Sequence, residues 1–458
     1  MHFPSPEDAR LAADRFDGPP DPRAVAGDVL PATPGDQPEA LALLMQTLQS
    51  SVSEDLQSRL DEPGHSWADR LLLRRRGQLI GHVRACRRIA WFAGERIPVA
   101  RFDDLAVLPE YAANGSSDAL LAAAEESAAC EGALVLTALA ADPRPFLQRG
   151  WSRVRGQGHT RARTRAVLAH LDALQQHRRR RRRAEPSVRT WRLVDLDAVE
   201  QFFAQLAPHG WGVLLRSPEA WRWLAGRKVH DAILLAVSPR TTGYVPALAE
   251  APQSELAAAN EQLVGYAVLR DSEVIEMYVD PDCPAASTAL LTRACRDAID
   301  RGHHYISLHT PSDDPLHELI VTAGGNWASQ PAHGLWLARL IAPDRWVERL
   351  YSVLRERAVA ADIDRPAEII FRVDERLIAL VLTRRSARLE QRAGDDGDAI
   401  ACSAATLQDL LLGNLSLARA QREQLLPPLD DERARLVRGL LPPRQLWQSP
   451  WEVLRLPS

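Results

Sequence analysis

Asp104-Leu-Ala-Val-Leu-Pro-Glu-Tyr-Ala-Ala-Asn-Gly-Ser-Ser-Asp-Ala-Leu-Leu121 is the stretch on which the fold turns. It reads as a strand stopped by Pro109, an open loop, and a helix that runs from about Ser117 to Cys130. Gly132 follows, then an apolar strand from Ala133 to Ala138, then Gly150. The same order returns downstream. Val279-Asp-Pro281 precedes a loop, Ala289-Leu-Leu, a helix, Gly302, a strand and Gly324. Helix start and glycine keep one spacing, since 289 − 119 and 302 − 132 both give 170. Upstream of the loop the spacing is 172 (279 − 107), so the second loop is two residues shorter. Helices rich in Ala and Leu match one another by accident. A strand–Pro–loop–helix–Gly–strand order over about 45 residues is much harder to obtain that way. The chain therefore reads as two copies of one mixed α/β unit.

A length of 458 residues suggests about three domains. Residues 1–26 are polar and Pro-rich and read as a loose arm. The first unit is expected over residues 27–175, with strands at Arg70–Arg75, Gln78–Ala85 and Val99–Leu108 joined through Arg76-Gly77 and Phe92–Arg96. Residues 176–187 form an Arg-rich linker, and the second unit covers 188–340. That unit is expected to hold strands Val188–Leu193, Ala232–Val237, Leu263–Leu269 and Val274–Val279, with a helix from about Asp195 to Leu206. A different domain fills 341–458. It opens with one amphipathic helix, Asp344–Ala361, and continues through strands Glu368–Val373 and Leu377–Thr383. The fold class is thus mixed α/β (α+β sheets), two tandem units and a third α+β domain.

Composition narrows the function classes. Hydrophobic residues make up 46% and charged ones 25%, as in a soluble globular chain, and the net charge is only −4. Such a balance gives the whole molecule no pull towards nucleic acid or anionic membrane. Five cysteines with no C-x-x-C spacing argue against a disulfide framework or a zinc site, and make a reducing cytoplasm the default. No apolar run approaches the ~20 residues of a membrane span, and no signal-peptide core opens the chain. The run Arg178 to Arg183 reads as a nucleic-acid patch or as a solvated linker. With no aromatic residues interleaved for base stacking, the linker reading is preferred.

The loop after Pro109 opens onto a helix N-terminus, where free N–H groups and the positive end of the helix dipole suit a phosphate. Gly115 lets backbone approach an anion, and Ser116 and Ser117 add hydroxyl donors. An ordinary helix cap at Ser117 or Asp118 explains the same residues. In the second copy, Cys283-Pro-Ala-Ala-Ser-Thr lacks Gly and carries Pro284, so that copy reads as built to fold.

At these residues the chain resembles the GNAT-type N-acetyltransferases. Asp104–Tyr111, Gly115 and Ala119–Glu126 are similar to that family's acetyl-CoA segment, and Asp142–Trp151 to its following "aromatic…Gly-aromatic" end. Two such units followed by a domain ending Ala405–Gly413 resemble the enhanced-intracellular-survival group, whose third domain is sterol-carrier-protein-like. The resemblance implies acetyl-CoA as co-substrate and an amine acceptor: a small molecule, a lysine or a protein N-terminus. It implies that Leu105 and Val107 offer backbone groups to pantetheine, that Asn114, Gly115, Ser116 and Ser117 hold pyrophosphate, and that the molecule is a homo-oligomer. Three departures stand out. Ala112 replaces the usual basic residue or Gln, Ser117 replaces a Gly or Ala, and Phe146 falls where a Tyr often serves as acid. Candidate proton carriers are therefore Asp104, Tyr111 and the terminal carboxylate of Ser458.

Other residues carry competing readings. Asp103 and Asp104 alternate in direction, one towards the site and one to solvent. His303, His304 and His309 tempt a metal reading, but adjacency splays the first two and no carboxylate completes a set, so no metal is expected. Trp221 and Trp223 read as core or interface packing, or as a pocket rim, and Cys130 as a buried small hydrophobe. Charges at Arg384, Arg385, Arg388 and Glu390 argue against a lipid tunnel in the third domain. Two functions compete: an acetyl-CoA-dependent N-acetyltransferase, and a catalytically silent relative that binds an acyl-CoA or another ligand as a sensor.

Overall fold

A computed structural model describes residues 28–48, 58, 60–180, 185–227, 229–239, 261–328, 334–394 and 397–453. The Pro-rich arm, Arg181–Arg183 and Ser458 lie outside the described residues. The first part of the chain forms β1 (Asp28–Pro31), β2 (Arg70–Arg75), β3 (Gln78–Phe92), β4 (Glu95–Val107), β5 (Val135–Ala140) and β6 (Ser152–Arg153). Both expected hairpins are present. Their tips, Arg76-Gly77 and Ala93-Gly94, take positive φ at both residues, the geometry that two-residue turns need to match strand twist.

Nine further strands follow: β7 (His159–Arg163), β8 (Ser187–Thr190), β9 (Trp211–Leu214), β10 (Ala232–Pro239), β11 (Glu261–Arg270), β12 (Glu273–Val279), β13 (Tyr305–Leu308), β14 (Asn326–Ala328) and β15 (Leu335–Leu340). The sheets do not follow chain order. The first runs β1-β2-β3-β4-β5-β15-β6 with β9 on β3, and the second runs β14-β7-β13-β12-β11-β10-β8. Leu335–Leu340 thus lies in the first sheet between β5 and β6, while His159–Arg163 lies in the second. Each half lends the other a strand. Neither sheet is complete without chain from beyond the expected boundary near residue 175.

Local geometry repeats between the halves. Helix Ser116–Cys130 covers one sheet and helix Ala285–Asp300 the other. Gly81 faces Val107 across its sheet, as Gly265 faces Val279. A Cβ on Gly81 would meet Leu120 at 2.7 Å, and one on Gly265 would meet Leu290 at 3.2 Å. Glycine lets the covering helix approach, and Leu120 and Leu290 keep the 170 spacing read from the sequence.

The third part forms a sheet of β16 (Ala367–Val373), β17 (Arg376–Leu382), β18 (Ala387–Arg392) and β19 (Ile400–Cys402) in the order β18-β17-β16-β19. The single helix expected over 344–361 is two helices, Pro343–Arg349 and Tyr351–Ala360. At Leu350 the backbone leaves helical geometry (φ −89, ψ 15). The break lets Trp346, Val347, Leu350, Val353 and Leu354 all reach one core. That core includes Phe92 and Val99 of the first sheet, and Phe92 meets Trp346 edge-on at 4.9 Å and Trp211 at 5.1 Å.

A strap from Arg444 to Glu452 ties the parts together. Trp447 N–H donates to Trp211 O (2.8 Å), Gln448 Nε2 to Thr137 Oγ1 (3.2 Å), and Gln157 Nε2 to Leu446 O (2.9 Å). Trp451 is fully buried against Trp221.

Candidate functional site: two forks between parallel strands

β4 and β5 run parallel and pair only from Val99↔Val135 to Phe102↔Ala138. Beyond Phe102, β4 stays on β3 but parts from β5, and a fork opens. The backbone phase shows which groups face it. Leu134 N–H donates to Pro98 O, so even-numbered residues face β5 early in the strand. Leu108 N–H donates to Ile80 O, so by the end even-numbered residues face β3. One extra residue must lie between them, and the register with β3 shifts between His82 and Arg84. Asp104 occupies the bulge at φ +55. The bulge therefore turns the N–H and C=O of Leu105 and Val107 into the fork.

His82 holds the bulge. Its Nδ1 lies 2.9 Å from the Asp104 carbonyl, which can only accept, so Nδ1 carries the proton. Nε2 is then the acceptor for Arg70 Nη1 at 3.3 Å. Burial, then the Arg70 charge, push this imidazole down to about 4, so it is neutral at physiological pH. Asp104 itself is buried. Asp103 is not the solvated residue that alternation suggested. Its carboxylate receives Arg101 Nε (2.9 Å) and Arg84 Nη2 (3.1 Å), in a cluster that adds Glu62 and Arg88. Burial raises the Glu62 carboxyl, but Arg84, Arg88 and Arg101 outweigh it and hold the group well below the usual carboxylate range.

At the open end of the fork, Pro109–Tyr111 makes one 3₁₀ turn and Gly115 caps helix Ser116–Cys130 at φ +73. A Cβ at Gly115 would touch nothing within 4 Å, so it is the left-handed backbone that calls for glycine. Asn114, Gly115 and Ser117 lie at or near the surface, while Ser116 is buried at the first turn. Tyr111 lies under the Arg75 guanidinium, 5.7 Å from ring centre to Cζ. Arg75 comes from the β2–β3 hairpin and brings to this loop a cation that Ala112 does not supply.

Phe146 is buried edge-to-face on Trp151 (5.0 Å) and is a core residue. Trp221 is likewise core, against Phe203 and Trp451, whereas Trp223 Nε1 donates to Ser58 O across the halves at 2.9 Å. Cys130 is exposed in the last helical turn rather than buried. No group of three or more His, Cys, Asp or Glu positioned for a metal occurs among the described residues.

The second half repeats the fork. β12 and β13 pair at Glu273↔Ser307 and Val274↔Leu308, and His309 N–H to Val274 O (2.9 Å) continues the ladder. The β11 register shifts at Val268/Leu269, and Asp280 N–H turns to Val264 O. Met277 and Val279 hence face this fork as Leu105 and Val107 face the first. Sequence reading treated this copy as scaffold only. The structure opens a cavity of about 910 Å³ in it.

His82, Arg75 and the Glu62–Arg84–Arg101 cluster were missed from sequence. One signal was present. His82 and Arg84 alternate with Val83 and Ala85 within the otherwise apolar stretch Leu79–Cys86, which marks polar groups on a buried face.

Residues 28–154 match the family model described as the Acetyltransferase (GNAT) domain. The sequence matches none of the curated proteins. Among solved structures, a GCN5-related N-acetyltransferase from Anabaena variabilis superposes with TM-score 0.66 at 13% identity, covering 92% of this chain and 98% of that one. A GCN5-related N-acetyltransferase from Kribbella flavida gives 0.65 at 15%, covering 93% and 98%. Eis1 from Mycobacterium abscessus gives 0.58 at 16%, covering 90% and 97%. At these identities the likeness is one of fold, and it extends over nearly the whole chain.

Proposed function

We propose that the protein is an acyl-CoA-dependent N-acyltransferase, with acetyl-CoA as donor and an amine as acceptor, working at the first fork. The observation that carries this reading is the phase flip at Asp104, which turns the Leu105 and Val107 N–H and C=O groups away from β3, beyond the last β5 pair and beside the Gly115 loop. An extended amide-bearing arm adds to such an edge as a strand would. The residues present fit that donor. N–H groups in the first turn of helix Ser116–Cys130 and the Arg75 guanidinium suit a pyrophosphate, and left-handed Gly115 brings the backbone close.

In the reaction the acceptor nitrogen attacks the thioester carbonyl, the C–S bond breaks, and the thiolate takes up a proton. Holding the two reactants in line supplies most of the rate, and proton transfer adds about 10²–10⁴-fold. Asp104 and Tyr111 remain the candidate proton carriers in the described chain. Sterol-carrier likeness of the third domain, a cytoplasmic location and a homo-oligomer belong to the same proposal.

One observation favours the silent alternative. At the position where an acid is expected, Phe146 has no proton to give and is sealed against Trp151. Calorimetry with acetyl-CoA, followed by thiol release over a panel of amines, separates the readings. Binding with turnover supports the enzyme, and binding without turnover supports the sensor. Absence of binding, or binding unchanged in Arg75→Ala and Gly115→Val, overturns both.

A further inference from the structure

The fork of the second half has the chemistry of a cation site. The 910 Å³ cavity between β12 and β13 has an apolar floor that includes Trp211, Met277, Leu316 and Trp447. Asp280, Asp313, Asp314 and Glu318 line it as well, against one permanent cation among the described lining residues, Arg444. Glu276, also at its wall, is already neutralised by Arg216, whose Nη1 and Nη2 lie 2.8 and 2.5 Å from its two oxygens.

The loop that would hold a phosphate disfavours one. Cys283 N–H donates to Asp280 O, Asp282 N–H to Asp280 Oδ1, and Ala286 N–H to Cys283 O, each at 2.9 Å. These three donors are consumed internally, and Asp280 and Asp282 repel an anion. Meanwhile the Met277 and Val279 N–H and C=O groups face the cavity, on the side away from their β11 partners. A second, separate observation points to a ligand. His309 lines the cavity at 8% exposure, and its Nε2 makes no hydrogen bond, with the Glu273 carboxylate 3.7 Å away. A buried ring nitrogen left in this state awaits a polar partner.

We propose that the second fork is a binding site for an organic cation, an ammonium or guanidinium group on an apolar or aromatic body, separate from the first fork. Carboxylates at the mouth take the charge, the apolar floor takes the body, and the β12 edge and His309 meet its remaining polar groups. Burial raises the Asp314 carboxyl above its ordinary value, so Asp280, Asp313 and Glu318 carry the charge at the mouth. The inference does not depend on catalysis at the first fork.

The test is calorimetry of the full chain with tryptamine, and with indole-3-acetate as the same ring bearing the opposite charge. Tryptamine should bind one saturable site at least about tenfold more tightly than indole-3-acetate. Leu319→Trp, which fills the cavity, should abolish binding. The exposed-site double variant Asp313→Asn/Glu318→Gln should weaken it by about tenfold without moving the thermal midpoint. Saturating acetyl-CoA should leave the tryptamine affinity unchanged. Equal binding of the two indoles, no saturable binding of tryptamine, insensitivity to both variants, or competition by acetyl-CoA would each overturn the assignment. An acetyl-CoA failure at the first fork would leave the tryptamine result intact, so the two proposals fail separately.

Discussion

Lowering the pH from 7.5 to 5 should cost the native fold about 2 kcal/mol through His82 alone. Burial, then Arg70, depress this imidazole from 6.5 to about 4 in the fold, where Nδ1 serves the Asp104 carbonyl and Nε2 accepts from Arg70. A proton on Nε2 would face the Arg70 guanidinium, which stays charged throughout. Below pH 6.5 the unfolded chain takes up a proton that the native chain refuses. Stability from this group is therefore complete above 6.5, falls with falling pH, and levels off below about 4. The whole interval is worth about 3.4 kcal/mol at about 1.36 kcal/mol per pH unit. At pH 5 the unfolded imidazole is almost fully protonated and the native one about one-tenth, which gives about 2 kcal/mol.

His65, His159 and His230 are depressed in the same direction, so the parent curve alone does not isolate His82. His82→Gln keeps a donor for Asp104 and an acceptor for Arg70 but does not titrate. Urea unfolding at pH 7.5 and pH 5, followed by tryptophan fluorescence, should show the variant less stable at pH 7.5 by about 1–3 kcal/mol. Its loss on acidification should be smaller than the parent's by about 2 kcal/mol. Parallel pH dependences would refute the neutral, doubly bonded imidazole and with it this account of the bulge.

Gly115→Val forces a branched residue into left-handed backbone; acetyl-CoA affinity should fall at least tenfold, roughly, in calorimetry, and Gly115→Ala should fall less. Ala112→Arg should raise that affinity several-fold at low salt and lose the gain at about 1 M salt, where screening is short-ranged. Phe146→Tyr should leave thiol release unchanged and lower stability by about 1–3 kcal/mol in urea, because the new hydroxyl is sealed against Trp151. Arg216→Met strands the buried carboxylates of Glu276 and Glu452 and should cost about 3–5 kcal/mol, read as a lowered thermal midpoint.

Much of the local structure was legible in the residues. Arg70–Arg75 is a strand as expected, and the helix expected from Ser117 to Cys130 begins one residue earlier, at Ser116. These elements are fixed by period-2 and period-3.6 patterns and by glycine turns, all of which act over a few residues. The helix expected over 344–361 breaks at Leu350 because a core shared with the first sheet, reached through Trp346, outweighs helical continuity. Arg75 was invisible as a partner of the loop because it lies 36 positions from Tyr111 and meets it only through the hairpin.

Equal spacing of Leu and Gly in the residues anticipated the local geometry that both halves share, the glycine beneath a covering helix in each sheet. The residues also determined the position of the first loop, because Gly115 is demanded by a local dihedral. Which strands complete which sheet follows from long-range pairing alone. Leu335–Leu340 and His159–Arg163 pair with partners far away in the chain, and hydrogen-bond ladders leave no mark on the spacing of either segment. The cavity in the second fork is also a tertiary product. Strand divergence after Val274, the stretch around Trp211, the Arg444–Glu452 strap and the acids after Pro311 meet there from distant parts of the chain, and no local pattern in any of them encodes the cavity.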